Sequence, residues 1–195
     1  MTSESGPSVA VVGAGLVGSL LALVLANRGH QVTVYERRPD PRKVGDAAGR
    51  SINLALSERG WRALEVAGAM EAVRRIAMPV KARCMHNQAG ELTYQPYGLP
   101  GRGRFGDDEC IYSVARGPLN RILLEEAEAT GLVTVKFDHP LQDFTEDGDK
   151  VTLRFKDGQA VGHTRVFGTD GAFSAVRSKM MRTDRFDFSQ FYLEH

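Results

Sequence analysis

Ser8-Val-Ala-Val-Val-Gly13-Ala-Gly15-Leu-Val-Gly18 is the stretch on which the reading of this chain turns. Residues 8–13 form a continuous apolar run with β-branched side chains, which suits a strand buried on both faces. Ala14 to Arg28 is rich in Leu and Ala and predicts a helix, with Gly29 just past its last turn as a left-handed cap. Gln31-Val-Thr-Val-Tyr-Glu36 alternates polar and apolar residues and predicts a second strand. Strand, helix and strand fit into the 29 residues from Ser8 to Glu36, the size of a βαβ unit. Such units build parallel sheets through right-handed crossovers.

The glycines in this unit follow G-x-G-x-x-G, and each answers a physical need. Gly13 makes the tight turn out of the strand, Gly15 lets backbone approach a pyrophosphate, and Gly18 lets helix and strand pack closely. Leu16 and Val17 lie between them in the first helical turn, where free amides and the positive end of the helix dipole face an anion. Glu36 closes the second strand 18 residues after Gly18, near the spacing of the acid that binds a ribose hydroxyl pair. A carboxylate there favours an unphosphorylated adenosine ribose, and so FAD or NAD over NADP in this cleft. Arg37 and Arg38 beside it can stack on adenine or hold phosphate, or simply be solvated loop residues.

Outward from that unit the chain reads as a soluble globular protein. It has 195 residues, 42% hydrophobic and 25% charged, with formal net charge +1, which is too much apolar surface for a disordered chain. Near-neutral charge argues against nucleic acid or an anionic membrane surface as the main partner. No apolar run reaches the 18 residues of a spanning helix, and Met1 to Ser8 lacks a secretory signal. Cys84 and Cys110 form no CxxC and read as reduced thiols of a cytoplasmic protein. The five histidines are scattered without metal-ligand spacing, and no G-x-S-x-G elbow is present.

Further elements follow from local signals. Arg37 to Arg50 is a loop by composition, and Ser57 caps a helix ending at Ala67 and Gly68. Glu71 to Ala77 suits a short helix. Lys81–Asn87 and Glu91–Gln95 suit a hairpin, and Leu99–Asp108 a glycine- and charge-rich loop. Glu109–Val114 is a strand, followed by a helix with Pro118 in its first turn and an end near Ala129. Strands are predicted over 132–137, 141–145, 150–155 and 164–168, with Asp157-Gly158 as a hairpin turn and a helix over 172–181. Arg185–His195 carries four aromatics, and reads either as a docked terminus or as the start of an element cut short.

Two segments point to a family. Arg165-Val-Phe-Gly-Thr-Asp170-Gly171-Ala-Phe-Ser174-Ala-Val-Arg177 is a strand, an Asp-Gly turn and a helix start. With the N-terminal glycines it resembles the Asp-Gly motif of the flavin-dependent aromatic hydroxylases, which moves the ligand from NAD to FAD. Gly49-Arg-Ser-Ile-Asn-Leu-Ala-Leu56-Ser-Glu-Arg-Gly60 and Glu36-Arg-Arg-Pro-Asp-Pro-Arg42 resemble the kynurenine 3-monooxygenase family within that group. So do Gln95-Pro-Tyr97-Gly and Leu119-Asn-Arg-Ile-Leu-Leu124, and the likeness runs from about Val9 to His195.

The resemblance implies an α/β fold, a Rossmann-like FAD-binding domain with a parallel sheet and a β-rich insertion. Residues 78–113 would begin the substrate-binding insertion. It implies hydroxylation of L-kynurenine to 3-hydroxykynurenine with FAD, NADPH and O2. The flavin carries the oxygen chemistry, so no catalytic side-chain dyad is expected. Residue by residue, it puts Arg83 and Tyr97 on the α-carboxylate of kynurenine, a guanidinium fork plus a phenol. Without the resemblance, Arg83 reads as a solvated hairpin residue and Tyr97 as a packed loop aromatic. Arg116 would contact the flavin phosphates or ribityl chain, and Leu56 would line the flavin edge. Val135 would touch adenine, and Asp170 would lie near the pyrophosphate and ribityl. The family carries a further Gly-Asp motif after its substrate domain. The nearest letters here, Gly45-Asp46, follow the second strand, where the family has a loop. The chain therefore reads as the N-terminal portion of a longer enzyme, inactive on its own, with 185–195 opening a missing element. The alternatives are a related hydroxylase of another aromatic and a non-catalytic flavin- or nucleotide-binding module.

Overall fold

A computed structural model of the chain describes residues 8–44, 52–182 and 189. The segment Gly49–Ser51, the pair Gly45-Asp46 and the aromatic stretch 185–195 discussed above lie outside the described residues, apart from Ser189. The chain divides into two compact units, one of residues 1–45 and 124–195, the other of residues 46–123. In chain order the elements are β1 Val9–Val12, α1 Leu16–Ala26, β2 Val32–Tyr35, α2 Pro41–Val44, β3 Asn53–Leu56, α3 Glu58–Val66, α4 Met70–Arg74, β4 Met78–Val80 and β5 Ala82–His86. They continue with β6 Leu92–Pro96, β7 Ile111–Ala115, α5 Arg116–Ala129, β8 Val133–Lys136, β9 Leu141–Asp147, β10 Lys150–Phe155, β11 Ala160–His163, β12 Arg165–Gly168 and α6 Ala175–Met180.

The first unit is built on the expected parallel sheet, in the order β12-β1-β2-β8. β1 is central, and all four of its residues are buried, as a run without polar alternation requires. Its register matches Val12 with Tyr35 on one side and with Gly168 on the other, so the strands end level at the glycine turn. α1 buries Gly18, Ser19, Ala22, Leu23 and Ala26, a stripe at helical spacing made mostly of small residues. Small side chains let the helix axis lie close to the sheet beneath it.

A three-stranded antiparallel sheet, β11-β10-β9, belongs to the same unit. Ala10, Val12, Tyr35, Phe144, Leu153, Phe155 and Val176 form a core in which residues of the two sheets and α6 meet. Tyr35 and Phe155 stack with centroids 4.6 Å apart. The Tyr35 hydroxyl lies 3.0 Å from His163 Nε2, and His163 Nδ1 lies 3.1 Å from Ser8 Oγ. Both ring nitrogens of a buried histidine are thus satisfied, which removes most of the cost of burying it. Burial first, and the charge of Lys136 second, hold the His163 imidazole below its ordinary value of 6.5.

The second unit holds an antiparallel sheet, β3-β7-β4, and the separate two-stranded hairpin β5-β6. Trp61 of α3, Phe105 and Tyr112 of β7 contact one another edge to face, with centroids 5.1 to 5.7 Å apart. The Arg74 guanidinium lies 4.1 Å over the Phe105 ring. Arg104 donates to Glu58 and Glu65, and its contact holds the exposed Glu58 carboxyl down at about 2. The segment 99–108 is therefore not merely a polar loop, because Phe105 and Arg104 tie it to α3.

Four elements differ from the sequence reading. α2 interrupts the loop expected over 37–50, because Asp40 accepts the Arg42 amide at 3.0 Å and Pro41 opens the helix. β3 is a strand because it pairs with β7, Leu54 opposite Val114. β4 is a strand despite Pro79, because it lies at the sheet edge and pairs with β7 alone. The final helix begins at Ala175 instead of Ala172, with Ser174 as its N-cap accepting the Arg177 amide at 2.9 Å.

Candidate cofactor site

β1 delivers the chain into a turn at Gly13, whose φ of +101° lies in the region that side chains avoid. A Cβ there would fall 2.7 Å from the Thr169 carbonyl oxygen. A Cβ on Gly18 would fall 1.9 Å from the Gly13 carbonyl oxygen and 2.6 Å from Thr169 Oγ1. These two glycines answer to the protein's own packing. Gly15 differs: apart from its own chain neighbours, no heavy atom lies within 4 Å of where its Cβ would be. It caps α1 with no side-chain hydrogen bond, and the first turn carries no acid. The start of α1 thus presents amides, a positive dipole end and open space. A phosphate group fits that donor set and a glycine is what admits it. Leu16 beside it is half-buried, while Val17 is 67% exposed.

Glu36 follows β2 and is only 9% exposed. Its Oε2 accepts the Ala14 amide at 2.8 Å and its Oε1 accepts the Arg38 amide at 3.0 Å. Two backbone bonds hold the carboxylate at the glycine turn with lone pairs to spare for a ribose hydroxyl pair. Arg37 and Arg38 are exposed, the latter with its Nε 3.5 Å from Glu36 Oε1. Val135 is half-buried in β8, directly opposite Val34.

Asp170 follows β12 on the Asp-Gly turn. Its Oδ1 accepts the Ser174 hydroxyl, and its Oδ2 accepts the Ala175 amide at 2.7 Å. The carboxylate is therefore committed to the start of α6, and it fixes the Asp-Gly turn alongside the glycine turn. Phe173, just after it, is 88% exposed. Sequence reasoning passed over two further residues of this unit. Asp40 is buried and bonded by the Arg42 guanidinium, which also reaches Glu128, and that contact holds the Asp40 carboxyl below its usual range. Asp40 before Pro41 was the available signal. The other is Thr169, whose hydroxyl lies 2.9 Å from both the Val12 and Gly13 carbonyl oxygens.

The second unit carries the remaining candidates. Leu56 ends β3 half-buried, with its Cδ1 2.3 Å from where a Cβ of Gly60 would be. Arg116 is exposed at the start of α5, and its amide donates to Ile52 at 2.9 Å. Arg83 sits on β5 opposite Gln95 of β6, and the Tyr97 amide extends the ladder to the Lys81 carbonyl at 2.9 Å. Residues two apart share a face, so Arg83 and Tyr97 are diagonal neighbours on one side of the hairpin. Such neighbours lie roughly 7–8 Å apart, within reach of one small ligand for long side chains. Arg83 is exposed and Tyr97 is 38% exposed.

The family model described as FAD binding domain matches residues 7–190. The chain belongs to the FAD-binding domain family. FAD is accordingly the cofactor of the domain. Among curated proteins it is 43% identical to the kynurenine 3-monooxygenase of Christiangramia forsetii, over 95% of this chain and 40% of that one. It is 41% identical to the kynurenine 3-monooxygenase of Myxococcus xanthus, over 100% of this chain and 41% of that one. The chain thus spans about 40% of the length of the curated relatives it matches. Among solved structures, p-nitrophenol 4-monooxygenase from Pseudomonas putida superposes with TM-score 0.73 at 24% identity, over 89% of this chain and 44% of that one. The Diels-Alderase of pyrroindomycin biosynthesis does so with TM-score 0.68 at 25% identity, over 89% and 34%. One fold therefore serves more than one chemistry. Among the described residues no helix is long and apolar enough to cross a membrane, and no group of His, Cys, Asp or Glu could hold a metal ion.

Proposed function

We propose that the protein is the FAD-binding part of an NADPH-dependent monooxygenase that hydroxylates L-kynurenine to 3-hydroxykynurenine with O2. The observation that carries this reading is identity above 40% to kynurenine 3-monooxygenases across nearly the whole chain. FAD supplies the redox and oxygen chemistry when bound. The protein's share is binding and orientation. The amides at Gly15, Leu16, Val17 and Gly18 take the pyrophosphate, and Gly13 sets their direction. Glu36 takes the adenosine ribose through the lone pairs that the Ala14 and Arg38 amides leave open. Arg37 and Arg38 would stack on the adenine or hold phosphate, and Val135 would touch the adenine. Asp170 orders the turn beside the ribityl chain, Leu56 lines the flavin edge, and Arg116 contacts the phosphates or ribityl.

Arg83 and Tyr97 grip the substrate α-carboxylate from one face of the β5-β6 hairpin. Residues 78–113 then begin the substrate-binding region. NADPH and the aromatic amino acid are the partners of this reading. The free thiols of Cys84 and Cys110 suit a cytoplasmic setting.

NADPH oxidation by the FAD-loaded, full-length enzyme that carries this domain, followed with and without L-kynurenine, tests the reading. The expected result is kynurenine-dependent oxidation with 3-hydroxykynurenine as product. A FAD-loaded full-length enzyme that makes none would overturn it. Arg83→Ala should raise the KM for kynurenine at least tenfold while kcat changes far less, since a charge-assisted contact to a carboxylate is lost.

A further inference from the structure

Thr169 does more than continue the Asp-Gly motif. Its amide donates to the Val12 carbonyl at 2.8 Å, so that carbonyl already has a backbone donor from the Thr169 main chain. The hydroxyl lies 2.9 Å from the same oxygen and 2.9 Å from the Gly13 carbonyl oxygen. Its distinct contribution is therefore the bond to Gly13. The space it occupies is the niche left by Gly18, where a Cβ would fall 2.6 Å from Thr169 Oγ1. The Gly13 carbonyl and the Ala14 amide belong to one peptide plane, and the Ala14 amide donates to Glu36 Oε2 at 2.8 Å.

We propose that Thr169 is a positioning residue of the cofactor site, which, together with Glu36, clamps the peptide between Gly13 and Ala14 from both ends. This rests on the reading that the glycine turn and Glu36 hold FAD. In a trans peptide the C=O and N–H point in opposite directions. A donor on one and an acceptor on the other resist rotation of that plane, which turns through ψ of Gly13 and φ of Ala14, and the missing side chain at Gly13 leaves that rotation otherwise little restrained. The two bonds also reinforce each other, because a hydroxyl pulling on the carbonyl makes the amide a better donor to the carboxylate. The Asp-Gly strand end thereby sets the position of the ribose-binding acid, which sits on the other neighbour of β1.

FAD titrations and amide hydrogen exchange on the whole protein test this. Thr169→Val keeps the shape and removes the donor, and Thr169→Ser keeps the donor. FAD affinity should fall about three- to tenfold in the valine variant and return to near the original value in the serine variant. In FAD-free protein, exchange at the Ala14 amide should accelerate several-fold in Thr169→Val, with the core amide of Val34 unchanged. Should the valine variant not fold, Thr169→Ala against Thr169→Ser carries the same comparison. Equal FAD affinity and equal Ala14 exchange across the series would overturn the clamp. Failure of the unaltered protein to bind FAD would sink the underlying reading instead, and the Ala14 exchange would still decide the clamp.

Discussion

The glycine turn of the first unit and the β5-β6 hairpin of the second carry the two halves of the proposed chemistry, and they are built on opposite plans. Around Gly13 nearly every polar group is committed: Glu36 to Ala14 and Arg38, Thr169 to Gly13, and Asp170 to the start of α6. The β1 strand beneath is wholly buried. On the hairpin every residue but Ala82 is exposed, including Met85, Leu92 and Tyr94. A lone two-stranded hairpin is marginal in water, so its geometry rests on its ladder and its turn. The first region is preorganised by its own packing, whereas the second presents side chains on a thin support. Perturbations of the first should be felt in stability and cofactor binding together. Perturbations of the second should be felt in substrate handling with little loss of fold.

The largest expected effect lies in the first region. Gly18→Ala places a methyl 1.9 Å from a backbone oxygen, which has no room to yield. It should cost about 3 kcal/mol of stability or more, measured by chemical denaturation, and abolish FAD binding. Gly15→Ala is its control. With open space around the added methyl, stability should hold within about 0.5 kcal/mol while FAD affinity drops at least tenfold. If both variants unfold alike, the division between packing glycine and ligand glycine is wrong.

Trp61→Ala comes close behind, at about 3–5 kcal/mol for a buried aromatic. It removes the ring on which Phe105 and Tyr112 both rest. Far-ultraviolet and near-ultraviolet melting would show whether the second unit loosens while the first, probed by FAD binding, stays folded.

A smaller effect concerns pH. His163 is buried with its imidazole held below 6.5, so the unfolded chain takes up its proton first as pH falls. Its contribution is fully present above pH 6.5 and is lost as pH drops from there through the folded value. Denaturation midpoints from pH 8 to 5 should decline on the acid side, and His163→Gln should flatten part of that decline. The lowered carboxyls of Asp40, Glu58 and Asp143 also lose stability towards acid, but below their ordinary range near 4. An unchanged profile in His163→Gln would contradict the assignment to His163, because those carboxyls keep their contribution throughout pH 8 to 5. The smallest effect belongs to the hairpin, where Tyr94→Ser, on a residue 67% exposed, should change stability by no more than about 0.5 kcal/mol.

The same contrast explains what the sequence revealed. The parallel sheet, α1 and the direction of the glycine turn were legible, because Val9–Val12, the three glycines and Glu36 act through local pattern and fixed spacing. The hairpin was legible from its turn residues and flanking strands. What stayed hidden depends on partners distant in sequence. β3 and β4 exist because β7 pairs with both, and Arg104 and Phe105 look like loop residues until Glu58, Glu65 and Trp61 stand beside them. The Asp40-Pro41 helix start was readable in principle and was masked by the basic, proline-rich letters around it. Asp170 was identified by motif, but its bond to Ala175 depends on the helix beginning three residues later than its sequence suggested.

Calorimetric titration of the folded protein with FAD tests the central claim most directly. One FAD per chain should bind, with affinity reduced at least tenfold by Glu36→Ala and by Gly15→Ala. A chain that is folded by circular dichroism yet takes up no FAD, or binds it equally well in both variants, would contradict the account.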